Sequence, residues 1–377
     1  MKKPLFFILL LLFNLVVAQF ASGVSGSDQS IKSSAATGTV AATVAPVFIN
    51  LPQTGAKTSF GSGDDGYLKK GVAWPNPRFA VGGDCVTDNL TGLMWVRNGN
   101  LSNGKKNWFE ALDYAGNLTL CGYSDWRLPN VNELETLVDA EQPDSAAWLN
   151  GEGFINVRSG GCWSSTTYDG NKDYAWFIDM HYGNTGNDKK VIGNCVWPVR
   201  AKPAQLPVTG QIKCYNASGA EIACANTGQD GEFKSGVPWP DSRFTVVGDC
   251  ITDNLTGLMW PKNANLANGA KNWSEALEYA NKLNLCGFTD WRLPNRKELF
   301  SLVDHSRSKP SLQAEHPFTN VQPEYYWSST TYAGATNSAW FVNMWYGFAH
   351  HYFKAYGGYI WPVRDAQRII GKQPKKD

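Results

Sequence analysis

Asp125-Trp126-Arg127-Leu128-Pro129-Asn130 returns letter for letter as Asp290-Trp291-Arg292-Leu293-Pro294-Asn295. An identity of this length around a Trp-Arg pair does not recur by chance in one chain, so the sequence is an internal duplication with an offset of 165 residues. Working outward, Pro129 stops the preceding segment, Asn130 is an N-cap, and Glu133 stands three residues on, the spacing of a capping box. Val131, Leu134, Leu137 and Val138 then face inward on a helix, repeated by Asn295, Glu298, Leu299, Leu302 and Val303. Upstream, Asn107 and Glu110 form a second capping box. Trp108, Ala111, Leu112 and Ala115 follow with the i, i+3, i+4, i+7 spacing of an amphipathic helix. Asn272, Trp273, Glu275, Ala276, Leu277 and Ala280 are its copy.

Strand patterns surround these helices. Residues 81–86 and 93–95 flank a turn at 88–92, and residues 163–168 and 175–178 recur as 327–332 and 339–342. Each unit closes on Trp-Pro-Val-Arg, at 197–200 and 361–364. The order strand, helix, helix, strands predicts an α+β fold, with two helices packed on an antiparallel sheet in each unit. Each unit opens with Leu-Pro-x-Thr-Gly, at 51–55 and 206–210. The letters match a sortase signal, but no apolar tail and basic end follow directly, so the motif reads as a turn that starts a unit. A polar hairpin-like stretch is expected next, ending at Gly66-Tyr67 and Gly231-Glu232-Phe233.

The organisation follows. Lys2-Lys3, the apolar run 5–17 and the small residues before Gln19 predict a signal peptide over 1–18, hence a secreted, periplasmic or cell-surface protein with no membrane span after cleavage. Residues 19–46 read as a flexible linker, 47–202 as the first module, 203–366 as the second, and 367–377 as a basic tail. A net charge of +1 argues against nucleic acid as a partner, and 16 Trp residues allow a sizeable core in each module.

Eight cysteines in a secreted chain imply a disulfide framework, and the duplication narrows the pairing. Cys85 and Cys121 recur as Cys250 and Cys286. Cys162 and Cys195 are lost together, replaced by Tyr326 and Tyr359. Cys214 and Cys224 lie in an insertion of the second unit and have only each other. The expected bonds are 85–121, 162–195, 214–224 and 250–286.

The run Asp88-Asn89-Leu90-Thr91-Gly92-Leu93-Met94-Trp95, the Asp125–Asn130 stretch, Trp163-Ser164-Ser165-Thr166-Thr167 and Trp197-Pro198-Val199-Arg200 together resemble the C-terminal domain of the Legionella collagen-like protein (Lcl) family. The resemblance covers about 80–200 and 245–364. It implies a bacterial source and two tandem C-type-lectin-like modules, related in fold to formylglycine-generating enzymes. The best-known member of that family is an adhesin that binds sulfated glycosaminoglycans.

No cofactor, metal or catalytic residue is expected. None of the five histidines recurs at a matched position, which weakens Ser/His/Asp and zinc readings. Gln142-Pro143-Asp144 matches a calcium-lectin motif by letters, without the Trp-Asn-Asp strand that should accompany it. The repeated acids Asp125/Asp290, Glu133/Glu298 and Asp139/Asp304 suit helix caps and partners for Arg127 and Arg292. The units diverge most where Asn184-Thr185-Gly186-Asn187-Asp188-Lys189, read as a polar turn, faces Phe348-Ala349-His350-His351-Tyr352-Phe353. Trp345, Tyr346, Phe348, His350, His351, Tyr352 and Phe353 are the candidate ligand-binding residues, carried on a strand-connecting loop. The competing reading packs them inward on Tyr326, Tyr356 and Tyr359. His350 and His351 are expected to make binding pH-dependent between about pH 5 and 8. The leading expectation is recognition or adhesion, with a glycan or surface protein as partner. The alternatives are a structural envelope component and an enzyme related to the formylglycine-generating fold.

Overall fold

The computed structural model describes residues 48–366; the expected signal peptide (1–18), linker (19–46) and basic tail (367–377) lie outside the described residues. In chain order, the first repeat forms α1 (Asp65–Leu68), β1 (Phe79–Gly82), β2 (Cys85–Asp88), β3 (Met94–Val96), α2 (Trp108–Gly116), α3 (Val131–Glu135) and α4 (Ser145–Gly151). It continues with β4 (Gly161–Thr167), β5 (Tyr174–Asp179), β6 (Thr185–Lys189) and β7 (Val199–Arg200). The second repeat adds a hairpin, β8 (Cys214–Tyr215) and β9 (Glu221–Ile222), before α5 (Asp230–Phe233), β10 (Phe244–Val247), β11 (Cys250–Asp253) and β12 (Leu258–Pro261). It ends with α6 (Trp273–Lys282), α7 (Arg296–Phe300), β13 (Tyr325–Thr331), β14 (Ser338–Asn343), β15 (Ala349–Phe353) and β16 (Arg364–Asp365). Each module thus holds two antiparallel sheets, ordered β1-β2-β3-β7 with β4-β5-β6, and β10-β11-β12-β16 with β13-β14-β15. The mixed α+β expectation holds.

The local signals act as the sequence implies. All four capping boxes form, at Asn107/Glu110, Asn130/Glu133, Asn272/Glu275 and Asn295/Glu298. The repeated Trp126 and Trp291 are buried. Arg127 forms a two-pronged ion pair with its own capping-box acid Glu133, at 2.7 and 2.6 Å, and Arg292 does the same with Glu298. One glutamate thereby satisfies a helix start and a buried guanidinium together. Asp125 and Asp290 instead hold Arg200 and Arg364 of the closing strands, each at 2.7 Å. All four expected disulfides are present. Where the second module lacks the 162–195 bond, the rings of Tyr326 and Tyr359 pack 5.7 Å apart, and Tyr326 lies 5.4 Å from Trp361. Aromatic packing fills the place of the covalent link.

Two local expectations need correction. The hairpin-like stretch forms a hairpin in the second unit, β8 with β9, but in both units its Gly66-Tyr67 or Gly231-Glu232-Phe233 end is a one-turn helix, α1 with the Asp64 side chain accepting from Tyr67 N, and α5. Asp144 of Gln142-Pro143-Asp144 caps α4, accepting from Ala147 N. Residues 184–189 and 348–353 do not form connecting loops. Their central parts are the edge strands β6 and β15, paired with β5 and β14. The alternation of small or core-facing residues with exposed ones carries the strand period, and the polar and aromatic composition masked it.

The principal departure concerns the segment that opens each repeat. Sequence continuity assigns it to the module that follows. In the structure it straddles both: Thr54 O accepts from Ala140 N, Thr58 N donates to Glu141 and Thr209 O accepts from His305 N in the module that follows, while other residues cross onto the other module. In the first arm, Ile49 N donates to Leu255 O, Asn281 donates to Ser62 O, and Asn295 donates to Lys70 O. The fully buried Asp65 accepts from Thr54 of its own arm (2.5 Å) and Thr330 of the second module (2.7 Å). The second arm answers on the first module. Asp230 accepts from Thr209 (2.6 Å) and Thr166 (2.7 Å), Leu206 enters the first core, and Ser235 bonds both Arg127 and Glu133. The Leu-Pro-x-Thr-Gly motif is therefore an arm-docking element, with Thr54 and Thr209 buried. Between the modules, Glu135 meets Lys297 at 3.1 Å and Arg296 at 3.5 Å. The repeat places Phe300 opposite Glu135, and Asn132 opposite Lys297, so the duplicated faces have diverged into complementary ones.

Candidate functional site

The seven candidate residues do not form one site. Phe348 turns into the seam between the modules, 4.8 Å from Trp176 and 5.7 Å from Tyr168. His351 also faces the seam. It stacks on Tyr332 at 3.8 Å and lies edge-on to Trp340 at 5.6 Å. Trp345 and Tyr346 occupy the turn between β14 and β15, where Asn343 accepts both backbone N–H groups and Lys309 lies 5.8 Å over the Tyr346 ring. Only His350, Tyr352 and Phe353 are exposed. The inward reading is thus right for Phe348 and His351, although their partners are in the seam rather than at Tyr326 and Tyr359.

The exposed three belong to a larger wall. In the β13-β14-β15 sheet, Tyr325, Trp327, Phe341, His350 and Tyr352 share one face, as the pairs Trp327↔Phe341 and Phe341↔His350 require. Trp327 and Ala339 of this face are covered, packing in one cluster with Trp273, Ala276, Leu277 and Ala280 of α6. The uncovered part carries Tyr325 and Phe341 at 4.7 Å, Tyr325 and Tyr352 at 5.9 Å, and Tyr352 and Tyr356 at 5.0 Å in near-parallel contact. Phe353 joins at the edge, 6.1 Å from Tyr356. Tyr352, Phe353 and Tyr356 are 42%, 49% and 54% exposed, which makes this a continuous aromatic surface rather than scattered rings.

The first module has no such wall. Its matched residues are Gly161, Phe177, Gly186, Asp188, Lys189 and Ile192. Phe177 lies flat over the two glycines; a Cβ on Gly186 would stand 2.3 Å from its ring. Tyr325, Phe341 and Tyr356 escaped the sequence reading because they sit on three separate segments. The usable signal was the matched change Gly161 to Tyr325 and Gly186 to His350.

Electrostatics separate the two histidines. Burial pushes His351 down to about 4, with His350 and Arg296 adding to the effect. His351 therefore carries no charge change between about pH 5 and 8, contrary to expectation. His350 Nδ1 lies 2.9 Å from His351 N and 3.0 Å from His351 O, so it accepts from the one or donates to the other according to its tautomer. Elsewhere, two matched lysines lie on indoles. Lys190 Nζ is 4.3 Å from the Trp108 ring and Lys354 Nζ is 3.9 Å from the Trp273 ring. Burial lowers them to about 7 and about 8. Lys354 donates to Thr331 Oγ1 at 2.7 Å, while Lys190 is buried without a hydrogen-bond partner. His305 packs on Trp176 and Phe300, and burial pushes it down to about 3. His181 and Asp144 meet at 2.8 Å on the surface of the first module.

Every cysteine is in a disulfide, and among the described residues no cluster of three or more His, Cys, Asp or Glu side chains converges as a metal site would. No described helix is long and apolar enough to cross a membrane. A family model described as the Lcl C-terminal domain matches residues 84–200 and again residues 249–364. No curated protein matches the chain. The two matches contain α2, α3, α4 and the β4-β5-β6 sheet of the first module and α6, α7 and the β13-β14-β15 sheet of the second, and cover more than half of the chain, which belongs to the Lcl C-terminal domain family.

Proposed function

We propose that this is a recognition or adhesion protein of the bacterial exterior, with two C-type-lectin-like modules, a single ligand-binding face and no catalytic role. The first module acts as a scaffold. The second binds, through the aromatic wall of Tyr325, Phe341, His350, Tyr352, Phe353 and Tyr356. One observation carries this reading: two modules that share caps, buried ion pairs and strand order differ in displaying a solvent-facing aromatic wall on one of them alone. Exposed aromatic clusters lower stability and solubility unless they meet a partner. The ligand is a glycan or a glycan-bearing surface protein. Four disulfides suit an oxidising compartment outside the cytoplasm, where such a ligand is met.

The test is a glycan array probed with the chain and with a variant that carries the first module's residues on the wall, His350→Gly, Tyr352→Asp and Tyr356→Ile. These positions are exposed, and a thermal scan checks that the variant, with a glycine in β15, keeps its folding transition. Loss of array binding supports the assignment. Unchanged binding by the variant moves the site elsewhere.

A further inference from the structure

The rings of the wall carry hydroxyl and imidazole groups at their edges, and none of the six residues is a lysine or arginine. Among the described residues, no lysine or arginine stacks on any of its six rings. Lys354, next in sequence to Phe353, turns away and places its Nζ on Thr331 Oγ1 and over Trp273. Burial, with lesser contributions from Tyr352 and Glu324, raises the Tyr325 hydroxyl above its ordinary value. In the first module the matched positions include the charges of Asp188 and Lys189; in the second they are Tyr352 and Phe353.

An anionic ligand needs cations. Sulfate esters and carboxylates are held by charge-assisted bonds from Arg or Lys, and the negative faces of aromatic rings repel them. An uncharged pyranose has the opposite needs. Its C–H faces fit the negative faces of Tyr and Phe, and its hydroxyls need neutral donors and acceptors. The Tyr352 and Tyr356 hydroxyls and the exposed imidazole of His350 supply these. The wall is also longer than one sugar. The pair Tyr325/Phe341 meets Tyr352 edge-on through Tyr325, and Tyr352 lies near-parallel to Tyr356, so the rings follow one another with their planes turned.

We infer that the wall binds an uncharged oligosaccharide, with several pyranose units lying along the row Phe341, Tyr325, Tyr352 and Tyr356. The inference rests on the wall being a recognition face and adds the chemical class of its ligand.

The test is calorimetric titration of the full chain with cellohexaose, laminarihexaose, chitohexaose and mannohexaose, and separately with a heparin hexasaccharide, each at low and high salt. The expected result is binding of at least one neutral hexasaccharide, with an affinity that salt does not change. The double variant Tyr352→Ala/Tyr356→Ala should weaken that binding by about tenfold or more, with an unchanged thermal unfolding midpoint. Binding of heparin alone, falling steeply with salt, would overturn the neutral-ligand inference while leaving a recognition protein in place. Neutral-saccharide binding that the double variant retains would also overturn it and would remove the wall from the proposed function. Failure of all the neutral hexasaccharides to bind would overturn the inference, and simultaneous failure on the array would remove glycan recognition itself.

Discussion

Replacing the two buried arm aspartates, Asp65→Asn and Asp230→Asn, should change how stability depends on pH. Both carboxylates are fully buried, and burial raises each from 3.8 to about 6. The hydroxyls of Thr54 and Thr330 oppose the rise at Asp65, as do those of Thr209 and Thr166 at Asp230. Further out, Glu298 raises and Arg292 lowers the first, and Glu133 and Arg127 act likewise on the second. A carboxyl with a raised folded pKa contributes most below its unfolded value, and loses that contribution as pH climbs through about 6. A shift of roughly two units corresponds to about 3 kcal/mol per site, as an order of magnitude. Asparagine keeps an oxygen for the two threonine hydroxyls but has no proton to lose. The free-energy difference between each variant and the parent should therefore tilt toward the variant by about 3 kcal/mol from pH 4 to pH 8. Urea unfolding across that range measures it. Asp139 and Asp304, also raised by burial, are common to both proteins and cancel in the difference. A flat difference curve would refute the claim that ionising these carboxylates works against arm docking.

Other expectations concern the core and the seam. Trp126→Ala or Trp291→Ala should each cost about 3–5 kcal/mol, since both indoles are nearly fully buried; an unchanged thermal midpoint would show that the repeated stretch serves the surface instead. Glu135→Ala leaves the buried Lys297 without its ion-pair partner at the seam, while Arg296 keeps its bond to Gly183 O, and should cost about 3–5 kcal/mol in denaturant unfolding, against near-neutrality for substitution of the exposed Glu278. Non-reducing peptide mapping should return the four pairs 85–121, 162–195, 214–224 and 250–286, and a Cys121–Cys162 peptide would contradict the pairing.

Much of the scaffold was legible because it is written locally and then written again. Asn130 and Glu133 declare a helix start within four residues, and their recurrence at Asn295 and Glu298 removes the ambiguity of a single match. The disulfides were legible through paired loss of Cys162 and Cys195. The arm exchange was not. Thr54 and Asp65 lie near each other in sequence, but their partner Thr330 lies hundreds of positions away, and a repeat gives each arm two equivalent grooves. Sequence similarity cannot choose between grooves that differ only by which copy they belong to. The candidate site was half legible. Composition flagged residues 348–353, whereas burial is decided by strand alternation: His350 and Tyr352 point out, His351 points into the seam. Tyr325 and Phe341 complete the wall only once the register brings three strands together.

Tyrosine protection on ligand binding addresses the central claim most directly. Tyr352 and Tyr356 on the wall are 42% and 54% exposed, close to Tyr123, Tyr182 and Tyr67 at 41%, 48% and 70%, which are not among its rings. A surface-sensitive label, such as photochemical nuclear polarisation or iodination read by mass spectrometry, therefore reports on all five in one sample. With a saturating array-derived glycan, the account predicts that Tyr352 and Tyr356 lose their signal while Tyr67, Tyr123 and Tyr182 keep theirs. Protection of Tyr182 or Tyr67 with Tyr352 and Tyr356 still labelled would contradict it and place recognition away from the second module's wall.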